Sequence, residues 1–151
     1  MSIRPADRAD IPRLLEFGPA MHAESPFWSR LPFSASQLVE TLELLIGHEL
    51  GFVWVAERNG VVVGVLLGSC EDYWMSSARV AMERALYVEP AARGGLYAAR
   101  LVTAFVAWAN EYGAALIFAG VSTGVHTERT VGLYERLGFV RNGAVALERV
   151  G

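Results

Sequence analysis

Apolar residues recur along this chain with two different spacings, and each change of spacing marks a change of element. Ser2 to Ala6 reads as a short strand. Asp10-Ile11-Pro12 then suits a helix start, with a capping acid and a proline in the first turn, and predicts a helix over Ile11 to Phe17. Gly18 to Pro32 carries Pro19, Pro26 and Pro32 beside Phe27 and Trp28, which predicts a break in regular structure with bulky apolar groups left to line a pocket. Ser34-Ala35-Ser36-Gln37 has capping-box spacing, and Leu38, Leu42, Leu45 and Ile46 follow at helical intervals. Phe52 to Glu57 and Val61 to Ser69 are β-branched and apolar on either side of Asn59-Gly60, a pair that tolerates the positive φ of a tight hairpin turn.

A third strand is expected from Val80 to Val88, ended by Pro90, after a polar and aromatic connection holding Glu71, Asp72, Tyr73 and Trp74. From Leu96 the apolar positions Ala98, Leu101, Val102, Phe105, Trp108, Ala109 and Tyr112 fall on one helical face, with Gly113 placed as the C-terminal cap. Ala114 to Ala119 reads as a buried strand, Thr127 to Leu137 as a helix ended by Gly138, and Phe139 to Val150 as a last hairpin turning at Asn142-Gly143. The order is βααβββαβαββ, without internal repeats or low-complexity tracts.

Bulk properties narrow the classes of function. A chain of 151 residues is the usual size of one domain, so residues 1–151 are expected to form one. Its 53% apolar and 19% charged content is that of a chain with a core, not of a disordered one. A net charge of −3 offers no broad basic surface, which argues against nucleic acid as a partner. Met1 to Asp10 mixes both charge signs where a signal peptide needs an apolar run, and no stretch approaches the ~18 apolar residues of a membrane span. A cytoplasmic protein without membrane contact is therefore expected. Cys70 is the only cysteine, and His22, His48 and His126 lie far apart, so no metal site is expected.

Two segments carry candidate chemistry. The first is Val88-Glu89-Pro90-Ala91-Ala92-Arg93-Gly94-Gly95-Leu96-Tyr97-Ala98, where a strand turns into the longest helix. Backbone N–H groups at a helix N-terminus converge on an anion, the helix dipole favours negative charge there, and Arg93 adds a positive fork. A flexible turn with a solvent-facing arginine fits the same local sequence. No Gly-x-Gly-x-x-Gly and no phosphate-loop Gly-Lys-Ser/Thr occurs, which removes the main signatures of dinucleotide and nucleoside triphosphate binding. The second segment is Thr127-Glu128-Arg129-Thr130-Val131-Gly132-Leu133-Tyr134-Glu135-Arg136-Leu137-Gly138-Phe139.

Together with the element order, these segments resemble the GNAT superfamily of N-acetyltransferases over nearly the whole chain. The resemblance implies a single mixed, mostly antiparallel sheet flanked by helices, with acetyl-CoA as acyl donor. The family pattern at the pyrophosphate turn is Arg or Gln, two residues, Gly, one residue, then Gly or Ala; Arg93 and Ala98 match it, and Leu96 takes the place of the first glycine. The implied donor contacts are Leu86, Val88, Arg93, Gly94, Gly95, Leu96, Tyr97, Ala98 and Thr127, the last standing where the family often has asparagine. Leu-Tyr-Glu-Arg-Leu-Gly-Phe resembles the family's last helix and implies that Tyr134 protonates the departing thiolate, a reasonable task for a phenol that stays neutral at pH 7. Helical spacing from Val131 and Gly138 equally allows Tyr134 only to pack.

An ammonium acceptor must lose a proton before it attacks a thioester, so a general base is needed. Glu83 is the first candidate, on the strand leading into the turn, where burial would raise its pKa; a solvated Glu83 beside Arg84 is the other reading. Glu71, Asp72, His22 and Glu24 are alternatives. A backbone N–H near Val88 would polarise the carbonyl. Gly120-Val121-Ser122-Thr123-Gly124 imitates a serine-hydrolase elbow, but the only later histidine is His126, which leaves no room for a triad acid between them. Cys70 likewise lacks an evident histidine partner, so direct transfer is expected over a covalent enzyme intermediate.

Phe27, Trp28, Phe33, Tyr73 and Trp74 fall in segments bordering the acceptor side, which suggests an amine with an apolar portion, and the acids near them would suit a cationic one. The acceptor is expected to be a small-molecule or protein amine. The alternative is a CoA-binding scaffold that has lost turnover. The last hairpin is a candidate for pairing with a second subunit in a homodimer.

Overall fold

The computed structural model describes residues 1–144 and 146–149. Its elements are β1 (Ser2–Pro5), α1 (Ile11–Glu24), α2 (Ala35–Gly47), β2 (Gly51–Arg58), β3 (Val61–Asp72), β4 (Arg79–Val88), α3 (Tyr97–Glu111), β5 (Ala114–Phe118) and α4 (Thr127–Arg136). The strands form one sheet in sequence order, antiparallel from β1 to β4 and parallel between β4 and β5. Asn59 and Gly60 turn the β2–β3 hairpin at φ 54° and 77°, as their residue types require.

Alternation along β2 divides the core into two layers. Val53 and Val55 face α1 and α2 with Leu14, Phe17 and Leu42, while Phe52 and Ala56 face α3 and α4 with Leu101, Phe105 and Tyr134. The sheet is thus covered on both sides, with α1 and α2 on one face and α3 and α4 on the other. Gly18 lets the first pair approach closely, since a Cβ there would lie 2.5 Å from Leu38.

Three expectations need correction. The helix predicted to stop at Phe17 runs through Pro19 to Glu24. A proline removes one backbone bond, to the carbonyl four residues earlier, and packing of Met21 against the α1–α2 core outweighs that loss. The strand expected to be buried, β5, is the sheet edge, where Leu116 is 55% exposed. The final hairpin is absent among the described residues of 139–149, which contain no strand; Val145 and Val150 lie outside the described residues. Its turn survives locally, with Gly143 at φ 76° and the Ala144 N–H donating to Asn142 Oδ1.

The feature that matters most for a site is where β4 and β5 part. Their pairing ends at Met82 opposite Phe118, yet β4 continues to Val88. A register shift against β3 falls at the same place: Gly68 pairs with Glu83 and Leu67 with Ala85, leaving Arg84 as the extra residue of a bulge. The bulge bends β4 away from β5 and opens a gap through the sheet.

Candidate active site

That gap is the centre of a cleft of about 680 Å³, lined by β4 from Glu83 to Val88, the turn into α3, the β5–α4 loop, one face of α4 and the end of α1. Glu83 is the first β4 residue past the last β4–β5 pair. Its carboxylate accepts from the Gly120 N–H at 3.2 Å, so a side chain bridges the strands where the ladder stops. Desolvation pushes the Glu83 carboxyl up to about 7, against the lowering effect of Gly120 and Tyr134.

Tyr134 comes from α4 and is 5% exposed, edge-on to Phe139 with ring centroids 5.3 Å apart. It packs in the core, yet its buried hydroxyl lines the cleft and has no hydrogen-bond partner among the described residues. Burial first, and then the adjacent Glu83 charge, push its phenol well above the usual range. Glu83 and Tyr134 are therefore brought together, each acting on the other's proton.

The turn into α3 is a backbone cradle. Gly94 takes φ 91°, which favours glycine, and a Cβ on Gly95 would meet the Tyr97 ring at 3.4 Å. The first α3 bond runs from the Arg100 N–H to the Leu96 carbonyl at 2.9 Å, so the N–H groups of Tyr97, Ala98 and Ala99 have no acceptor within the helix. Leu96 sits at φ −87°, where a side chain is unstrained, and is 59% exposed outside the cleft lining.

Arg93 differs from expectation. It lines the cleft, but Nε donates to the Val88 carbonyl at 2.7 Å and a terminal nitrogen lies 2.8 Å from both Glu24 oxygens, with the guanidinium over the Tyr87 ring. Its fork ties the end of α1 to the end of β4 instead of standing free. Arg129 was missed by sequence reasoning: a terminal nitrogen lies 3.8 Å from where a Gly94 Cβ would be, and no carboxylate among the described residues pairs with it. Its spacing four residues before Leu133, another lining residue, was the available signal.

Of the other expected contacts, Leu86, Val88, Gly94, Gly95, Tyr97 and Ala98 all line the cleft, whereas Thr127 is exposed and does not. Among the alternative bases, His22 and Glu24 line it; Glu71 pairs with Arg84 and Asp72 with Arg79, and both lie outside. Ser122 and His126 line the cleft without a hydrogen bond between them. The end of α1 is fastened across the cleft, with Ser25 Oγ donating to the Thr123 carbonyl at 2.7 Å and Phe27 packed on Gly124.

No helix is long and apolar enough to cross a membrane, and no group of three or more histidine, cysteine or acidic side chains is placed to hold a metal ion, both among the described residues.

Solved structures share this architecture. AAC(6')-Iy, in complex with the bisubstrate analogue CoA-S-monomethyl-acetylneamine, superposes with a TM-score of 0.79 at 17% identity, covering 99% of this chain and 97% of that one. An acetyltransferase with acetyl-CoA from Clostridium acetobutylicum gives 0.76 at 19% identity, over 97% and 95% of the two chains. The ribosomal-protein-alanine N-acetyltransferase from Brucella melitensis gives 0.75 at 25% identity, over 91% and 83%. No curated protein sequence matches. The family model for the acetyltransferase (GNAT) family matches residues 18–139, the span that holds the parted strands, the glycine turn and the Tyr134 helix. The chain belongs to the GNAT acetyltransferase family.

Proposed function

We propose that this protein transfers an acetyl group from acetyl-CoA directly to an amine nitrogen. The observation that carries the reading is the meeting of Glu83 and Tyr134 at the gap between β4 and β5. The donor supplies an activated thioester carbonyl. The glycine cradle, the unpaired α3 N–H groups and Arg129 suit its pyrophosphate, and the unpaired edge of β4 up to Val88 suits the arm and the polarised carbonyl.

Glu83, ionised above about 7, takes the proton of the incoming ammonium, and the freed amine forms the new C–N bond. As the C–S bond breaks, Tyr134 gives its proton to the sulfur and regains one from the neighbouring Glu83 carboxyl, so one proton runs from nitrogen to sulfur; the second proton that the nitrogen sheds in becoming an amide leaves to solvent, and both side chains end as they began. The coupling of the pair times this relay. The Glu83 charge holds the Tyr134 proton in place, and neutralising Glu83 removes that restraint when the leaving thiolate needs the proton.

The first test is thermal unfolding with and without acetyl-CoA. Ligand at 100 times its Kd adds about 2.7 kcal/mol, or roughly 5 to 10 °C for this size of chain. No shift would remove the donor assignment; a shift without thiol release in the presence of any amine would leave a CoA-binding scaffold. A second test separates the two arginines. Arg129→Ala is expected to weaken acetyl-CoA binding about 10-fold by calorimetry, with the melting temperature unchanged. Arg93→Ala is expected to cost about 1 to 2 kcal/mol of stability by denaturant unfolding, because the half-buried Glu24 loses its partner, with affinity changed less than about 3-fold. The reverse pattern would restore Arg93 as the phosphate ligand.

A further inference from the structure

The side of the cleft beneath α1 and α2 carries information about the acceptor, on the acetyl-transfer reading above. Among the described residues two carboxylates border the cleft: both Glu24 oxygens are taken by Arg93, and Glu83 is the one that the reacting ammonium itself uses. Of the four arginines in the same lining, Arg93 is paired with Glu24 and Arg84 with Glu71, which leaves Arg129 and Arg136. The acids that sequence alone offered to a cationic acceptor, Glu71 and Asp72, are paired with arginines outside the cleft. A polycation entering here finds no unpaired carboxylate for its second ammonium.

What the wall offers instead is aromatic. A second hollow of about 390 Å³ opens from the cleft across His22, Trp28, Phe33 and Leu38 and reaches Leu31 and Pro32. Trp28 is 46% exposed and Phe33 39%, so large apolar surface is left facing water at the mouth of the site. Ser34, Gln37 and Thr41 form the outer, polar rim of the hollow, and the His22 ring stands edge-on to Phe33 at 5.8 Å. Flat rings and no spare negative charge define a complement.

We infer that the acceptor is a monoamine with an aromatic or similarly flat apolar body, which seats between α1 and α2 against Trp28, Phe33 and Leu38. Trp28 is then a specificity-determining residue.

The experiment compares 2-phenylethylamine with spermidine and kanamycin. Thiol release from acetyl-CoA gives kcat/KM for each, and calorimetry measures binding of each amine to the CoA-loaded protein. A kcat/KM for 2-phenylethylamine at least about 10-fold above either polycation is expected, with calorimetric binding in the same order. Trp28→Ala should lower it at least about 10-fold with the acetyl-CoA thermal shift intact, and Trp28→Phe should keep most of it. Preference for a polycation, indifference to Trp28→Ala, or absence of both binding and turnover for 2-phenylethylamine would overturn the inference. Failure of the wild-type acetyl-CoA shift would instead sink the transfer reading, and calorimetry of the same amines on the protein without CoA then decides the pocket.

Discussion

Replacing Tyr134 by phenylalanine is expected to lower kcat about 100-fold while the KM for acetyl-CoA stays within about twofold and the melting temperature holds. The two halves of this result come from different atoms. The ring fills a core position with Leu101 and Phe105, and phenylalanine keeps it. The hydroxyl lines the cleft beside Glu83, so its removal takes away the proton and leaves the packing. If stopped-flow rates are unchanged, Tyr134 is a packing residue; if stability falls sharply, the hydroxyl has a structural partner.

Glu83→Gln is expected to lower kcat/KM by about 100-fold or more at pH 8 and to erase the lower limb of its pH profile. The wild-type rate should climb with pH through about 7, because Glu83 accepts a proton only when ionised and its carboxyl is raised to about 7. Glutamine can still accept from the Gly120 N–H, so the bridge between β4 and β5 survives. Stability moves the other way. Between an unfolded value near 4.5 and a folded value near 7 the native state holds a proton that the unfolded chain has lost, so stability falls as pH rises across that window, and the full cost is present above it. Glutamine carries no such cost. The variant should be more stable than wild type at pH 8, by up to about 3 kcal/mol, and equal to it near pH 4 in denaturant titrations. A surviving limb near 7 would move the base to another residue.

Local spacing was enough to read most of the fold. The period-two alternation of β2, the positive-φ pair at Asn59-Gly60 and the one-sided apolar face of α3 each follow from backbone geometry within a few residues. The errors share a different origin. Whether a helix survives Pro19, and whether the apolar stretch at Ala114 is central or at an edge, depends on what packs from elsewhere in the chain. The candidate site divides in the same way. Glu83 and Tyr134 were picked out because the resemblance covers them, and folding brings both to one cleft. Arg93 was legible as a cation but not as a strut, since its partner Glu24 is 69 residues away. Arg129 looked like an ordinary first-turn helix residue until folding placed it beside Gly94.

The fastening of α1 across the cleft has a consequence for how the molecule assembles. The Ser25–Thr123 bond closes 98 residues of chain and the Arg93–Glu24 pair 69, both far longer than the hairpins and helices that flank them. Closing such loops costs entropy that no local contact repays, so these ties form late, after the sheet has brought their ends together. Once formed they are well enclosed, with Ser25 1% exposed and Arg93 held by Val88, Glu24 and the Tyr87 ring. The working geometry is therefore the last part of the chain to assemble, set by contacts that only a finished sheet can bring together.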